Sequence, residues 1–247
     1  MDSLALLWDG VWLRWLAPSS SEVAQREISR KDMVPEVLRA LRNQVGSGTQ
    51  VVAAEWGVPC TLTPEALTQE VGHEEVLVQA HRLHHGLAVS DDHIFHHMLM
   101  EDLDPACRIS VSGSADWAQG LDAIFPQAQR VSVAQALMQD ALHWNRTTPH
   151  QGWSLRVDVQ EQGAHMVALQ GEQIQWVHHL PQGAAADDVL YAMVNACHRG
   201  GGEVKDARIR WSGDAKWTEG WSRFFDVERQ GNTEGWLTLL ESLSTCA

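Results

Sequence analysis

RISVSGSADWAQGLDAIF, residues 108–125, is echoed one hundred positions later by RIRWSGDAKWTEGWSRFF, residues 208–225. Eight of the eighteen positions are identical: Arg108/Arg208, Ile109/Ile209, Ser112/Ser212, Gly113/Gly213, Ala115/Ala215, Trp117/Trp217, Gly120/Gly220 and Phe125/Phe225. Each copy opens with alternating apolar residues, passes a Ser-Gly turn and continues with apolar residues at helical spacing. In the first copy Cys107, Ile109 and Val111 alternate as in a strand, and Trp117, Leu121 and Ile124 share a helix face that Pro126 ends. In the second, the strand ARIRW leads into a helix carrying Trp217, Trp221, Phe224 and Phe225. The match points to an internal duplication.

The flanking sequence supports that reading because the order of elements repeats. At the start, LALLW and VWLRWL flank Asp9-Gly10, a strong hairpin signal, since a type I′ turn needs positive φ at both central residues. Pairing about that turn puts Leu4, Leu6, Trp8, Val11, Leu13 and Trp15 on one face. A helix is expected from about Asp32, with Pro35 in its first turn and Val34, Leu38, Leu41 and Val45 at helical spacing, ended by Gly46-Ser47-Gly48. VVAAEW reads as a buried strand, Thr63-Pro64-Glu65 opens a short helix, and between residues 74 and 100 the period is ambiguous. Ser132 is the expected N-cap of a helix reaching about Trp144.

The second half repeats the order more clearly. In WSLRVDV, Trp153, Leu155, Val157 and Val159 alternate with polar neighbours, as in a strand with one face buried. AHMVALQ and IQWVHHL complete a three-stranded meander, and a helix capped by Asp187 places Leu190, Met193, Val194 and Cys197 on one face before Gly200-Gly201-Gly202. A last amphipathic helix from about Thr233 aligns Trp236, Leu240 and Leu243. Each half thus reads as hairpin or meander, helix, strand, helix. The division falls in the polar segment 145–152, giving domains 1–147 and 148–247, the last helix being free to pack back on the first domain.

Composition narrows the function classes. Of 247 residues 44% are apolar and 20% charged, close to a globular average. The net charge of −14, with no dense run of Lys and Arg, argues against nucleic acid or an anionic membrane as direct partners. The opening MDSLALLWDGVWLRWL has no basic n-region, and no run approaches the roughly 18 apolar residues of a membrane span. A cytoplasmic location is expected. Cys60, Cys107, Cys197 and Cys246 form no C-x-x-C pair and read as buried or incidental thiols.

The duplicated plan, together with VPCTLTPEAL at 58–67, AIFPQA around Phe125-Pro126 and LQGEQIQWVHHLPQGAAADDVLYAMVNACHR leading to RIRWSGD, resembles an uncharacterised family of Bacteroidetes proteins. That family is a domain of unknown function with an actin-like ATPase fold, in the superfamily of actin, sugar kinases and heat-shock chaperones. The resemblance implies two ribonuclease-H-like α/β domains around a cleft. It implies no particular activity.

Active members of that superfamily hold phosphates with Asp-x-Gly hairpin turns, where backbone amides approach closely and the Asp binds Mg²⁺ through water. Transferred to this chain, the candidate nucleotide residues are Asp9, Gly10, Asp158, Ser212 and Gly213, but Gln160 stands where the second hairpin needs glycine. There is no P-loop, G-x-G-x-x-G or G-x-S-x-G motif. The triplets HRLHH and HIFHH offer a second candidate site: on helices, His81/His85 and His93/His97 are i, i+4 pairs able to share a metal, whereas on a strand His93, Phe95 and His97 share a face. Most of the twelve tryptophans fall on apolar stripes and read as core, with Trp211, Trp217, Trp221 and Trp236 a candidate interface cluster. The leading expectation is a non-catalytic binding or scaffolding protein with no cofactor and a protein partner, a homodimer included. The alternatives are an Mg-ATP enzyme or switch using the cleft and a metal-binding protein using the histidines.

Overall fold

The computed structural model describes residues 3–246 except 31–32, 47, 69–72, 87–88, 101–102, 104 and 232–234. The chain begins with β1 (Ser3–Trp8), β2 (Trp12–Leu16) and β3 (Ala24–Glu27), then α1 (Val34–Gln44) and β4 (Gln50–Glu55). There follow β5 (Cys60–Pro64), a 3₁₀ turn, α2 (His73–His85), β6 (His93–Met100) and β7 (Cys107–Ser114). The first half closes with α3 (Ala115–Ile124), β8 (Gln129–Arg130) and α4 (Val133–Thr147). The second runs through β9 (Trp153–Gln160), β10 (Gly163–Gln170), β11 (Gln173–Leu180), α5 (Ala186–Arg199), β12 (Arg208–Gly213), β13 (Asp226–Arg229) and α6 (Leu237–Ser244). No described helix is long and apolar enough to cross a membrane.

Two five-stranded sheets have the same order. The first is β3-β2-β1-β4-β8 and the second β11-β10-β9-β12-β13. In each, an antiparallel meander is extended by two strands parallel to its first: β4 pairs β1 from Ser3↔Gln50 to Trp8↔Glu55, and β12 pairs β9 from Arg208↔Ser154 to Gly213↔Val159. A third sheet, β5-β7-β6, is wholly antiparallel and lies between β4 and α3 in the chain.

That insertion corrects the reading of the repeat. The strand of the first copy is β7, which belongs to the inserted sheet, whereas the positional counterpart of β12 is β4. The helical parts differ too. Residues 115–124 form α3, with Gly120 seated against Val34 of α1, but the second copy makes two 3₁₀ turns, Ala215–Thr218 and Trp221–Arg223, separated at Gly220 with φ +84°. Equal local patterns have entered different pairing environments.

Other expectations shift by less. The hairpin face holds Leu4, Leu6, Trp8 and Leu13 in one core with Trp15 packed beside it, while Val11, at the turn, is exposed. Helix α1 begins at Val34 and α6 at Leu237; the starts expected at Asp32 and Thr233, and Ser47 of the first helix stop, lie outside the described residues. Helix α5 is preceded by Ala185, whose N–H donates to Asp188 Oδ2 at 2.7 Å, so Asp188 in the first turn does the work expected of Asp187. Ser132 caps α4 as expected, its Oγ accepting from Gln135 N at 2.9 Å. The run after α5 is kept small by packing, since a Cβ on Gly200 or Gly202 would stand within about 2.1 Å of the Trp153 ring.

The layers explain what each half contributes to the interface. Helices α1 and α3 cover the outer face of the first sheet, and α5 covers the outer face of the second together with Trp211, Trp217, Trp221 and Phe225. Between the sheets lie α4 and α6, in a core that joins Ala5, Leu7 and Val52 to Leu137, Leu239, Leu240, Val167 and Leu169. Helix α4 packs on β9 and β10, and α6 packs back on β1, β2 and β4, with Ser3 Oγ donating to Ser244 O at 3.1 Å. Strand β9 is therefore buried along all eight residues, not on one face. Its polar side is answered by α4: Arg156 donates to Asp140 Oδ2 at 2.5 Å, while Ser154 Oγ and Arg208 donate to Asn145 Oδ1 at 3.2 and 2.8 Å.

Candidate functional site

The two hairpins that would hold phosphates face a groove of about 550 Å³ lined by Trp12, Arg14, Gln160, Asp214, Gly235 and Trp236, among others. Asp9 sits at the first turn, and its carboxylate is fully engaged. Oδ1 accepts from the N–H of Val11 (2.9 Å) and of Trp12 (2.6 Å), and Oδ2 pairs with Arg14 Nη1 at 2.5 Å. Both side chains are nearly buried, which makes this a charge-assisted contact shielded from water. Gly10 has φ +94° with open space about its Cα, so it serves the turn.

The second hairpin turns its acid inward. Asp158 is fully buried, accepting from Ser212 Oγ at 2.5 Å and Gln160 Nε2 at 2.8 Å, with Arg156 Nη2 donating to the same Ser212 hydroxyl at 2.9 Å. Burial raises its pKa, against the pull of Arg156 and the two hydrogen bonds. Gln160 also donates to Gly235 O at 3.3 Å, tying the hairpin to the approach of α6. Gly213 has φ +101°, and a Cβ there would stand 1.9 Å from Val159 O. The structure thus brings Asp158, Ser212 and Gly213 together and leaves Asp9 and Gly10 on the opposite hairpin, joined to a different charge.

Between the hairpins runs a column of rings the sequence reading did not assemble. The Arg14 guanidinium lies 4.1 Å over the Trp236 ring. Trp236 meets Trp56 edge-on at 4.9 Å, Trp56 meets His165 edge-on at 4.5 Å, and His165 lies 4.4 Å from His179. Gly57 N donates to His165 Nε2 at 3.3 Å, and burial, then the neighbouring His179 and His178, hold the His165 pKa well below its usual value. Trp236 therefore stands apart from Trp211, Trp217 and Trp221, and the expected four-tryptophan cluster does not form. One signal was present: Arg14 is the lone charge inside VWLRWL, between the buried Leu13 and the half-buried Trp15 and five residues from Asp9.

The histidine triplets divide between two elements, HRLHH on α2 and HIFHH on β6, so the strand reading holds for His93 and His97. His81 is wholly buried, its Nδ1 bonded to Thr61 Oγ1 at 2.9 Å and its Nε2 to Ser112 Oγ at 3.1 Å. His85 Nε2 lies 3.1 Å from Cys60 O and 3.0 Å from Thr61 Oγ1; a carbonyl only accepts, so this nitrogen carries the proton. His97 Nδ1 bonds Ser110 Oγ at 2.8 Å. A hydroxyl thus engages a ring nitrogen of His81, of His85 and of His97. Among the described residues no three His, Cys, Asp or Glu are placed to hold a metal ion.

Three comparisons set this geometry beside known proteins. No family model matches the chain, and no curated protein does. A Bacteroides thetaiotaomicron VPI-5482 protein with actin-like ATPase fold and unknown function superposes with a TM-score of 0.77 at 12% identity, over 99% of this chain and 96% of that one. The chain has an actin-like ATPase fold. Two further structures share this fold at lower similarity. The PilM-PilN type IV pilus biogenesis complex matches with a TM-score of 0.53 at 11% identity, over 94% of this chain and 88% of that one. The cytoplasmic domain of EpsL, an inner membrane component of the Vibrio cholerae type II secretion system, matches with 0.51 at 11%, over 99% and 95%. In the terms of this actin-like fold, the groove between Trp12 and Gly235 lies where its two ribonuclease-H-like sheets meet.

Proposed function

We propose that this chain is a cytoplasmic protein-binding module that keeps the actin-like fold without its nucleotide chemistry. The observation that carries the reading is the pairing of Asp9 with Arg14 beneath Trp236. A cation already bound to the carboxylate competes with Mg²⁺, and releasing it would leave a nearly buried guanidinium unpaired, which is costly. The buried hydrogen bonds of Asp158 act in the same direction at the second hairpin.

A protein partner is the favoured ligand class. Two fold neighbours, PilM with PilN and the EpsL cytoplasmic domain, carry names that place them in assemblies. The net charge of −14 disfavours phosphate-rich partners. In the proposed division, α4 and α6, the latter packing on β1, β2 and β4, hold domain 1–147 to domain 148–247.

Calorimetric titration with Mg-ATP tests the proposal. The expected result is no saturable heat at micromolar protein, in the wild type or in Asp158→Ala. Micromolar affinity that disappears in Asp158→Ala would overturn it and restore the ATP-dependent reading through Asp9, Asp158, Ser212 and Gly213.

A further inference from the structure

Helix α2 is attached differently from α1 and α4. Helix α1 buries Val34, Val37, Leu38 and Leu41, and α4 buries ten residues, but of the α2 side chains described only Leu77 and His81 are fully buried, and Leu83 is 85% exposed. The sheet face beneath α2 is polar for a reason of register. In β7, Ile109 and Val111 enter the central core, which turns Ser110 and Ser112 toward the helix; Thr61 of β5 pairs with Ser110 and lies on the same side. The helix meets this face through imidazoles. His81 Nδ1 bonds Thr61 Oγ1 and His81 Nε2 bonds Ser112 Oγ, so a neutral ring meets both hydroxyls, donating from one nitrogen and accepting at the other.

Among the described residues no carboxylate answers a charge on His81. From α2 itself it faces His84 and His85, and from β6 His93 and His97, all of which oppose its protonation. Arg108 of β7 is paired with Glu65, and Glu74, at the start of α2, acts on His97. Across a cavity of about 280 Å³ the end of α2 presents His84 and His85 to His165 of β10 and to His178 and His179 of β11. Arg82 points outward to Asp91. Eight imidazoles thus share one region, and a proton taken up by His81 is opposed by its neighbours.

We propose that α2 is a proton-released cover: acidification lifts it from the hydroxyl-bearing face of the inserted sheet and exposes Thr61, Ser110 and Ser112 while the two main sheets stay folded.

The size of the effect follows from His81, held down at about 4 against 6.5 by burial and then by His85 and the other imidazoles. Because the docked state binds the proton less tightly, docking is fully stable above about pH 6.5 and weakens as pH falls toward 4. Between pH 7.5 and 5 the undocked fraction should rise about 30-fold from this residue alone.

Hydrogen exchange of the whole chain, corrected for the intrinsic pH dependence, reads this directly. Protection of α2 amides should fall about 30-fold from pH 7.5 to 5 while α1 is unchanged, and His81→Gln, which keeps a donor and an acceptor but does not titrate, should remove most of that fall. Wild-type α2 protection that stays flat, or that falls together with α1, overturns the proposal without need of the variant. So does an undiminished fall in a folded His81→Gln protein.

Discussion

Replacing Arg156 with methionine removes the cation that balances two acids between the sheets while preserving much of the side-chain volume. The guanidinium is fully buried and donates to Asp140 Oδ2 at 2.5 Å, Val157 O at 2.6 Å and Ser212 Oγ at 2.9 Å. Its loss leaves Asp140 with the single longer contact from Gln230 at 3.2 Å, and Asp158 with Ser212 and Gln160 alone. Breaking a buried pair from one side costs about 3–5 kcal/mol, which for a chain of this size is a fall in melting temperature of roughly 6–20 °C.

The acid dependence gives a second, independent reading of the same variant. Burial raises the Asp158 pKa above 3.8 even with Arg156 present, so the folded state holds that proton more tightly than the unfolded one. Its penalty is absent below about 3.8 and grows as pH rises through the folded value. Without Arg156 that value moves higher, so the gap between wild type and variant should be larger at pH 7 than at pH 4.5. Calorimetric melts at the two pH values measure both quantities. A loss below about 1 kcal/mol at pH 7, or a gap that does not narrow in acid, would refute the claim that Arg156 neutralises buried acids.

Three further outcomes are expected. Gly213→Ala places a Cβ 1.9 Å from Val159 O at φ +101° and should lose at least about 2 kcal/mol, whereas Gly10→Ala, at φ +94° in open space, should lose only about 1; equal urea midpoints would contradict this. Ser132→Ala removes the acceptor of Gln135 N and should cost about 1 kcal/mol in the same assay. Cys197 and Cys246 are buried, and burial raises each thiol to about 11, so at pH 7 both should resist a maleimide that labels them readily in denaturant; rapid native labelling of either, mapped by peptide mass, would show the site to be open.

Much of the architecture was present in local pattern. The Asp9-Gly10 turn, the Ser132 cap and the stripe of Val34, Leu38 and Leu41 each follow from interactions a few residues long, and they were enough to place two α/β halves in the chain. The polar residues of β9 were visible but their partners were not, because alternation tells which residues share a face and nothing about what covers it. Covering by α4 turned Ser154, Arg156 and Asp158 from an expected solvent face into a buried network. The candidate site divided in the same way: Asp9 and Asp158 were legible as hairpin acids, while Arg14, Trp236 and His165, distant in sequence, could be joined only by the packing of the two sheets.

The repeat at residues 108–125 and 208–225 marks the boundary between the two kinds of information. By itself the sequence determined that each copy begins extended and that Trp117 and Trp217 point inward, because these depend on periodicity and side-chain solvation. Tertiary structure alone decided that β12 would lie parallel to β9 while β7 joined β5 and β6 in a separate sheet. A strand's edge hydrogen bonds are the same whatever the partner, so the choice rests on which distant segment closes against it and which apolar face that closure buries.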